Sequence, residues 1–198
     1  MKLGISFARI LTLAGASLLG VAAQSQPVRA ADTYKVDAVH SSVLYRVKHM
    51  NASYAYGRFN DFSGSFTIDS ADPTKCAFDL VVKTAAIDSG NEKRDQHLKS
   101  PDFLNAKQFP TIAFKSEKVE AKGKDSYLVT GNLTLHGTTK PVTIEVETTG
   151  TATGPRGGKV AGIEATFTIK RSDFGMKNMI PMVGDEIRLI ASLEGNHQ

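Results

Sequence analysis

The sequence predicts an all-β fold, an antiparallel barrel or sandwich of about eight short strands. Three observations carry this expectation. Apolar and polar residues alternate with period two in segment after segment, turn-forming residues separate the segments, and no long amphipathic helical pattern occurs. Successive side chains of a strand point to opposite faces, so alternation marks a strand with one buried face. Short strands punctuated by turns belong to barrels and sandwiches.

Taken in order, Val43, Tyr45 and Val47 alternate with Leu44, Arg46 and Lys48. Phe59 to Ile68 reads as the next strand, with Gly64 marking a bulge or bend. Asp72-Pro73 turns the chain, and Phe78, Leu80 and Val82 then oppose Ala77, Asp79, Val81 and Lys83. Residues 91–106 form the one helical region, predicted as one or two short helices. Within it Ser100 reads as a helix start, a capping hydroxyl with Pro101 at the first helical position. Ile112 and Phe114 oppose Ala113 and Lys115. After a turn at Lys122 to Asp125, Val129, Leu133 and Leu135 share a face with Gly131. His136-Gly137 turns the chain into Val142, Ile144 and Val146, set against Thr143, Glu145 and Glu147. Ile163, Ala165, Phe167 and Ile169 oppose Glu164, Thr166, Thr168 and Lys170. Ile187, Leu189, Ala191 and Leu193 oppose Arg188, Ser192 and Glu194.

The N-terminus precedes this pattern. Basic Lys2 and Arg9, an apolar run from Ile10 to Ala23, and Val28-Arg29-Ala30 have the order of a secretory signal peptide. The run is too short for an ordinary transmembrane helix, which needs about 20 residues. Cleavage is expected after Ala30, with Ala23 as the alternative, so residues 1–30 are a signal and 31–198 a single domain. The signal holds three of the 24 Lys and Arg and none of the 20 acids, which leaves 21 basic and 20 acidic residues in the mature chain. This balance and the lack of a basic stripe argue against nucleic acid as a partner. Cys76 is the only cysteine, so no internal disulfide forms, and no Cys-His pattern makes it a nucleophile. A membrane barrel would also alternate, but with its apolar face outward and aromatic girdles at both rims. The chain has no Trp, 8% aromatics and a polar C-terminal tail, which favours the soluble form.

Few residues suggest chemistry. Arg94, Asp95 and His97 share one turn, where a local cap or salt bridge outweighs a general base. The five histidines have no metal-ligand spacing, so no metal is expected. Gly154 to Lys159 is glycine-rich, but Val160 stands where a phosphate loop needs Ser or Thr, and a strand follows instead of a helix. No Gly-x-Ser-x-Gly elbow occurs. The chain therefore reads as a non-enzyme. Alternation alone leaves open whether the interior is packed or hollow, since small eight-stranded barrels occur in both forms.

Several segments in fixed order carry a resemblance: His40-Ser41-Ser42-Val43, Gly57-Arg58-Phe59, residues 94–104 (RDQHLKSPDFL), Phe109 to Phe114, residues 131–142 (GNLTLHGTTKPV), Arg171 to Met176 and Val183 to Ile187. From about Tyr34 to Glu194 the chain resembles the YceI-like family of exported polyisoprenoid-binding proteins. One departure is Leu104, where the family often has a second aromatic, which implies a looser lid. The resemblance implies an extended, lipocalin-like eight-stranded antiparallel barrel with a hollow interior. The ligand it implies is a long isoprenoid lipid, a polyprenyl phosphate or an isoprenoid quinone, with no other cofactor. It implies a periplasmic location, with secretion as the alternative. A nine-residue strand rises about 30 Å, and a tilt near 40° leaves roughly 23 Å of barrel height, room for several prenyl units.

The residues expected to line that lumen are Val43, Tyr45, Val47, Leu80, Val82, Ile112, Phe114, Leu133, Ile144, Val146, Phe167, Ile169, Leu189 and Ala191. Phe103 and Leu104 are expected to face it from the helical segment. Arg94 and His97 are placed at the rim as candidates for the ligand's head group, because Arg pairs well with phosphate. Arg171 and Asp173 are adjacent candidates for the same role, though a structural ion pair that ties the final turn to the barrel outweighs it. An enzyme acting on an isoprenoid lipid through Asp95 and His97 is the competing reading, and a solid-cored interaction module is a third. Transient contact with a membrane surface and a homodimer are compatible with the first.

Overall fold

The computed structural model describes residues 31–155 and 157–198, so the expected signal peptide lies outside the described residues. The strands are β1 (Asp32–Val36), β2 (Ser42–His49), β3 (Ser53–Phe59), β4 (Phe62–Ile68), β5 (Ala77–Lys83) and β6 (Ile87–Asp88). After helix α1 (Glu92–Lys99) come β7 (Thr111–Ala121), β8 (Ser126–Leu135), β9 (Thr138–Thr153), β10 (Lys159–Lys170) and β11 (Val183–His197). Short 3-10 turns occupy Pro73–Lys75, Thr84–Ala86 and Arg171–Phe174.

These segments build a closed antiparallel barrel of eight staves. β1 and β2 pair successively along the same strand, β11, and so form one interrupted stave. β3 pairs with β2 and β4 with β1, which makes β3 and β4 the second stave. β5 and β6 pair with β4 and β3 and make the third. β7, β8, β9, β10 and β11 follow as single staves, each hydrogen-bonded to its sequence neighbour. The return of β11 to β1 closes the ring of paired strands, while on the upper side the β11-β2-β3 branch ends at β6.

The three interruptions are stitched to neighbouring backbone. Ser41 Oγ donates to Asp37 O (2.6 Å) and accepts from the Glu194 N–H (2.9 Å), tying the first break to β11. Asn60 N–H donates to Ala86 O (3.0 Å) and Lys83 N–H to Asp61 O (2.9 Å), joining the second and third breaks. The 50–52, 136–137 and 171–182 connections lie at one end of the barrel, here the upper end. The 69–76 and 122–125 connections and residues 154–155 and 157–158 lie at the lower end. Because the third stave shrinks to two-residue β6 above its break, residues 89–110 with α1 occupy the upper side of the barrel there.

The apolar stripes face inward and form one core. The outward positions Thr143, Glu145, Glu147 and Glu164 are exposed and polar, the reverse of a lipid-facing barrel. At the lower end Tyr34 stacks on Phe66 with ring centroids 5.3 Å apart, and a Cβ at Gly195 would lie 2.7 Å from Tyr34 and 2.8 Å from Phe66. Cys76 is a buried small side chain whose Sγ accepts from the Asp69 N–H (3.3 Å).

Two local expectations need correction. Ser100 ends α1 instead of starting a helix: Asn91 Oδ1 caps the N-terminus by accepting from Arg94 N–H (3.0 Å), and Ser100 N–H closes the last turn onto His97 O. A residue before proline is disfavoured in the α region, so Pro101 stops the helix at Ser100. Gly64 is not a bulge, since β4 and β5 stay in register from Phe62↔Val82 to Thr67↔Ala77. The bend of this stave falls at 60–61. Gly64 instead allows close backbone approach, because a Cβ there would sit 2.1 Å from Asp79 O. Gly64→Ala is expected to destabilise the fold by about 1–3 kcal/mol through overpacking against backbone that cannot rotate away. Urea denaturation checks this, and an unchanged midpoint would refute the close approach.

A hollow apolar lumen under a helical lid

The inward stripes do not meet across the barrel. Two adjoining apolar spaces lie inside it, about 90 Å³ in the lower section and about 100 Å³ in the upper. Each exceeds the space that one buried water needs, and both are walled almost wholly by apolar side chains. Phe59, Ile112, Leu133 and Leu189 line both sections and mark their junction. Val43, Leu80, Val82, Phe114, Ile144, Val146, Phe167 and Ala191 line the lower section only. Tyr45, Val47, Phe103, Leu104 and Ile169 line the upper section only. Every residue expected at the lumen therefore faces one section or the other.

Other lining residues lie outside that expectation. Phe78, Ile163, Ala165, Ile187 and Leu193 sit on the same alternating stripes and were legible there. Ile87 and Val183 stand at strand ends, Leu98 on the short helix and Met176 in a loop, where no period-two pattern marks a face. Arg171 is the notable case. It follows Ile163, Ala165, Phe167 and Ile169 as the next inward position of the period-two pattern, and it is 2% exposed.

The upper section is covered by the segment after β6. Ser89 anchors α1: Asp95 Oδ1 accepts from its N–H (2.8 Å) and hydroxyl (2.5 Å), while Arg94 donates from Nε to its Oγ (2.8 Å) and from Nη2 to its carbonyl (2.6 Å). Beyond α1 the chain folds back, with Leu104 N–H on Leu98 O (3.0 Å) and Asn105 N–H on Ser100 O (2.9 Å). This brings Leu98, Phe103 and Leu104 over the lumen. His97 lies edge-on to the Phe103 ring (4.9 Å), and its Nε2 pairs with Asp102 Oδ2 (3.0 Å). Arg94, Asp95 and His97 line neither section, and no hydrogen bond joins Asp95 to His97 among the described residues.

The far side of the lid is pinned by Phe109, whose ring packs on His136 at 4.6 Å. A Cβ at Gly137 would lie 2.4 Å from that ring, so the glycine makes room for it as well as adopting the left-handed turn. His136 Nδ1 meets Phe174 O at 3.2 Å. Three of the sequence motifs, those around Phe109, His136 and Phe174, thus converge on the upper rim.

Arg171 does not pair with Asp173, which lies 3.8 Å from Lys140 instead. Its guanidinium donates to three carbonyls: Nε to Gly184 (2.9 Å), Nη1 to Met176 (2.9 Å) and Nη2 to Val183 (2.8 Å). Asp185 is occupied by the Ser172 N–H (2.8 Å) and hydroxyl (2.7 Å). Burial pulls the Arg171 pKa below its ordinary value, and the charge of Asp185 opposes that shift. Burial also pushes the Tyr45 phenol up to about 12, so it stays neutral. Its ring lies across Gly57, where a Cβ would sit 2.3 Å from the hydroxyl.

Known proteins share this architecture. A profile of the YceI-like domain matches residues 34–195. A UPF0312 protein of Pseudomonas aeruginosa is 42% identical over 189 residues, covering 94% of this chain and 98% of its own. The Campylobacter jejuni YCEI protein superposes with a TM-score of 0.67 at 32% identity, over 76% of this chain and 90% of that one. Burkholderia cenocepacia BcnA superposes at 0.74 with 26% identity, over 80% and 98%. A polyisoprenoid binding domain from Saccharophagus degradans, implicated in plant cell wall breakdown, shares the fold at 0.65 with 14% identity, over 83% and 98%.

Asp95→Ala is expected to cost about 1–2 kcal/mol by removing two hydrogen bonds to a carboxylate. Ligand uptake into the lumen should be unchanged. Thermal melts and a binding titration on the same sample check both, and a loss of uptake with an unaltered melt would contradict a purely anchoring role.

Proposed function

The chain belongs to the YceI-like family, and on that premise we propose that it binds a long-chain isoprenoid lipid in its lumen and stores or carries it in the periplasm. It does so without catalysing a reaction. The observation that carries this reading is the pair of adjoining apolar spaces inside the barrel, which share Phe59, Ile112, Leu133 and Leu189 in their walls, with the Tyr34–Phe66 stack at the lower end. Each buried methylene is worth about 0.8 kcal/mol, so a prenyl tail gains strongly by leaving water for such a wall. The ligand class named for the Saccharophagus degradans domain is consistent with this. Asp95 and His97, the pair an enzyme reading needs, are spent on Ser89 and Asp102 outside the lumen.

Native mass spectrometry of protein purified from its own cell envelope tests the reading. The expected mass is that of a chain beginning at Ala31 plus a hydrophobic adduct. Ala191→Trp, which fills the lower section, is expected to lose the adduct while keeping the β-sheet circular dichroism of the wild type. Wild-type protein with no adduct and no uptake of added prenyl lipid would point instead to a protein-interaction module.

Loading from a bilayer fits the same reading. Met50, Met179, Ile180 and Met182 are all exposed at the upper rim. Met50 N–H donates to Met182 O (2.6 Å), which unites their two loops into one patch. Residues 48–54 and 174–182 contain no acid but include Lys48, His49 and Lys177. Apolar tips with basic flanks suit an anionic membrane surface. The double variant Met179→Asp, Ile180→Asp is expected to stop co-flotation with phosphatidylglycerol vesicles without weakening uptake of detergent-dispersed lipid. Undiminished flotation would rule this surface out.

A further inference from the structure

Arg171 has more donors than the fold uses. A guanidinium carries five N–H groups, and three of them serve the carbonyls of Gly184, Met176 and Val183. No carboxylate of the described residues lies within ion-pairing distance of it, although it is 2% exposed. Among the described residues it is also the only charged side chain in the wall of the upper section, where Tyr45 is the only other polar one. The Phe103 ring of the lid lies over it, 5.8 Å from Cζ. Burying a cation in an apolar wall is costly unless its hydrogen bonds are filled. The three carbonyls hold the guanidinium in a fixed orientation and leave two N–H groups unassigned.

We propose that Arg171 is the polar anchor of the site: its remaining N–H donors bind an oxygen of the ligand's head beneath the lid, and the prenyl tail runs down the lumen. This rests on the lumen being the lipid site. The chemistry recognised is an oxygen acceptor adjoining an apolar tail, whether a quinone carbonyl or a phosphate oxygen. Both match a guanidinium, and the phosphate adds charge pairing. A head bound here is screened from water by Phe103 and Leu104, and so is distinct from a head left at the solvent-exposed rim beside Arg94. The anchor also accounts for a charge standing at the one inward position where β10 passes into the 171–174 turn.

The test compares three probes with tails of equal length: a polyprenyl quinone, a polyprenyl phosphate and the head-free prenyl hydrocarbon. Wild-type protein is expected to bind at least one headed probe about 10-fold more tightly than the hydrocarbon, the gain of a charge-assisted hydrogen bond. Which headed probe gains identifies the acceptor. Arg171→Met is expected to erase that preference while still taking up the hydrocarbon. Since this variant also loses three structural bonds, a second measurement uses the intact chain. In 15N-arginine spectra of the wild type, the Arg171 side-chain signals should shift with the preferred headed probe and not with the hydrocarbon. Equal affinity of the wild type for all three probes, or silent Arg171 signals, overturns the anchor and leaves the lumen reading standing. Failure of all three to bind removes the lumen reading itself.

Discussion

Closure of the hydrogen-bonded ladder through β11 is the constraint on which the structure depends. Its 15 residues meet β10 along one edge and, along the other, first β2 and then β1. An open sheet of this length would leave a row of unpaired backbone groups. Closing it fixes the circumference, and a circumference of eight staves gives an interior that side chains can just fill or just fail to fill. Side-chain size then decides. Ala165 and Ala191 face each other across adjacent staves in the wall of the lower section, and Ala161 follows on the same stripe. Aromatic rings fill the lower end instead. The hollow is therefore a consequence of where small residues fall in a ring whose size is already set.

The interrupted staves give the barrel its second feature, an upper part that differs from the lower. Asn60, Asp61, Lys83 and Ala86 exchange backbone hydrogen bonds across two of the breaks, which holds the staves together there. Above them the third stave is too short to form a wall. The 89–110 segment takes its place with side chains in the lumen and a charged face to solvent, which an ordinary strand could not supply over the same span. Its charged residues belong to this architecture: Arg94 and Asp95 both hold Ser89, and His97 braces Phe103.

Polar groups in the lumen are few and constrained. Tyr45 is kept neutral by burial, and Arg171 is held by carbonyls from the loop that leads into β11. A buried cation so arranged links the end of β10, the start of β11 and the lid ring over them. The same loop turns Met176 and Val183 into the lumen wall and Met179, Ile180 and Met182 outward. The lumen and the upper surface are thus built from one short stretch of chain, and a change in one bears on the other.

The sequence by itself determined most of the strands and their buried faces, because period-two alternation is a local property that any one face of a sheet imposes; alternation left barrel and sandwich open, and the family resemblance chose the closed form. It also placed a helix in residues 91–106, though Ser100 turned out to end it, since Pro101 acts on the residue before it more strongly than a capping hydroxyl acts on the residues after it. Tertiary structure alone decided the rest. Whether inward side chains meet depends on distances across the barrel, which no alternation encodes. The roles of Arg94 and Arg171 depend on which carbonyls and hydroxyls the closed ring brings to each. One is spent on Ser89 at the surface, and the other is fixed inside the lumen by a loop that begins where its own strand ends.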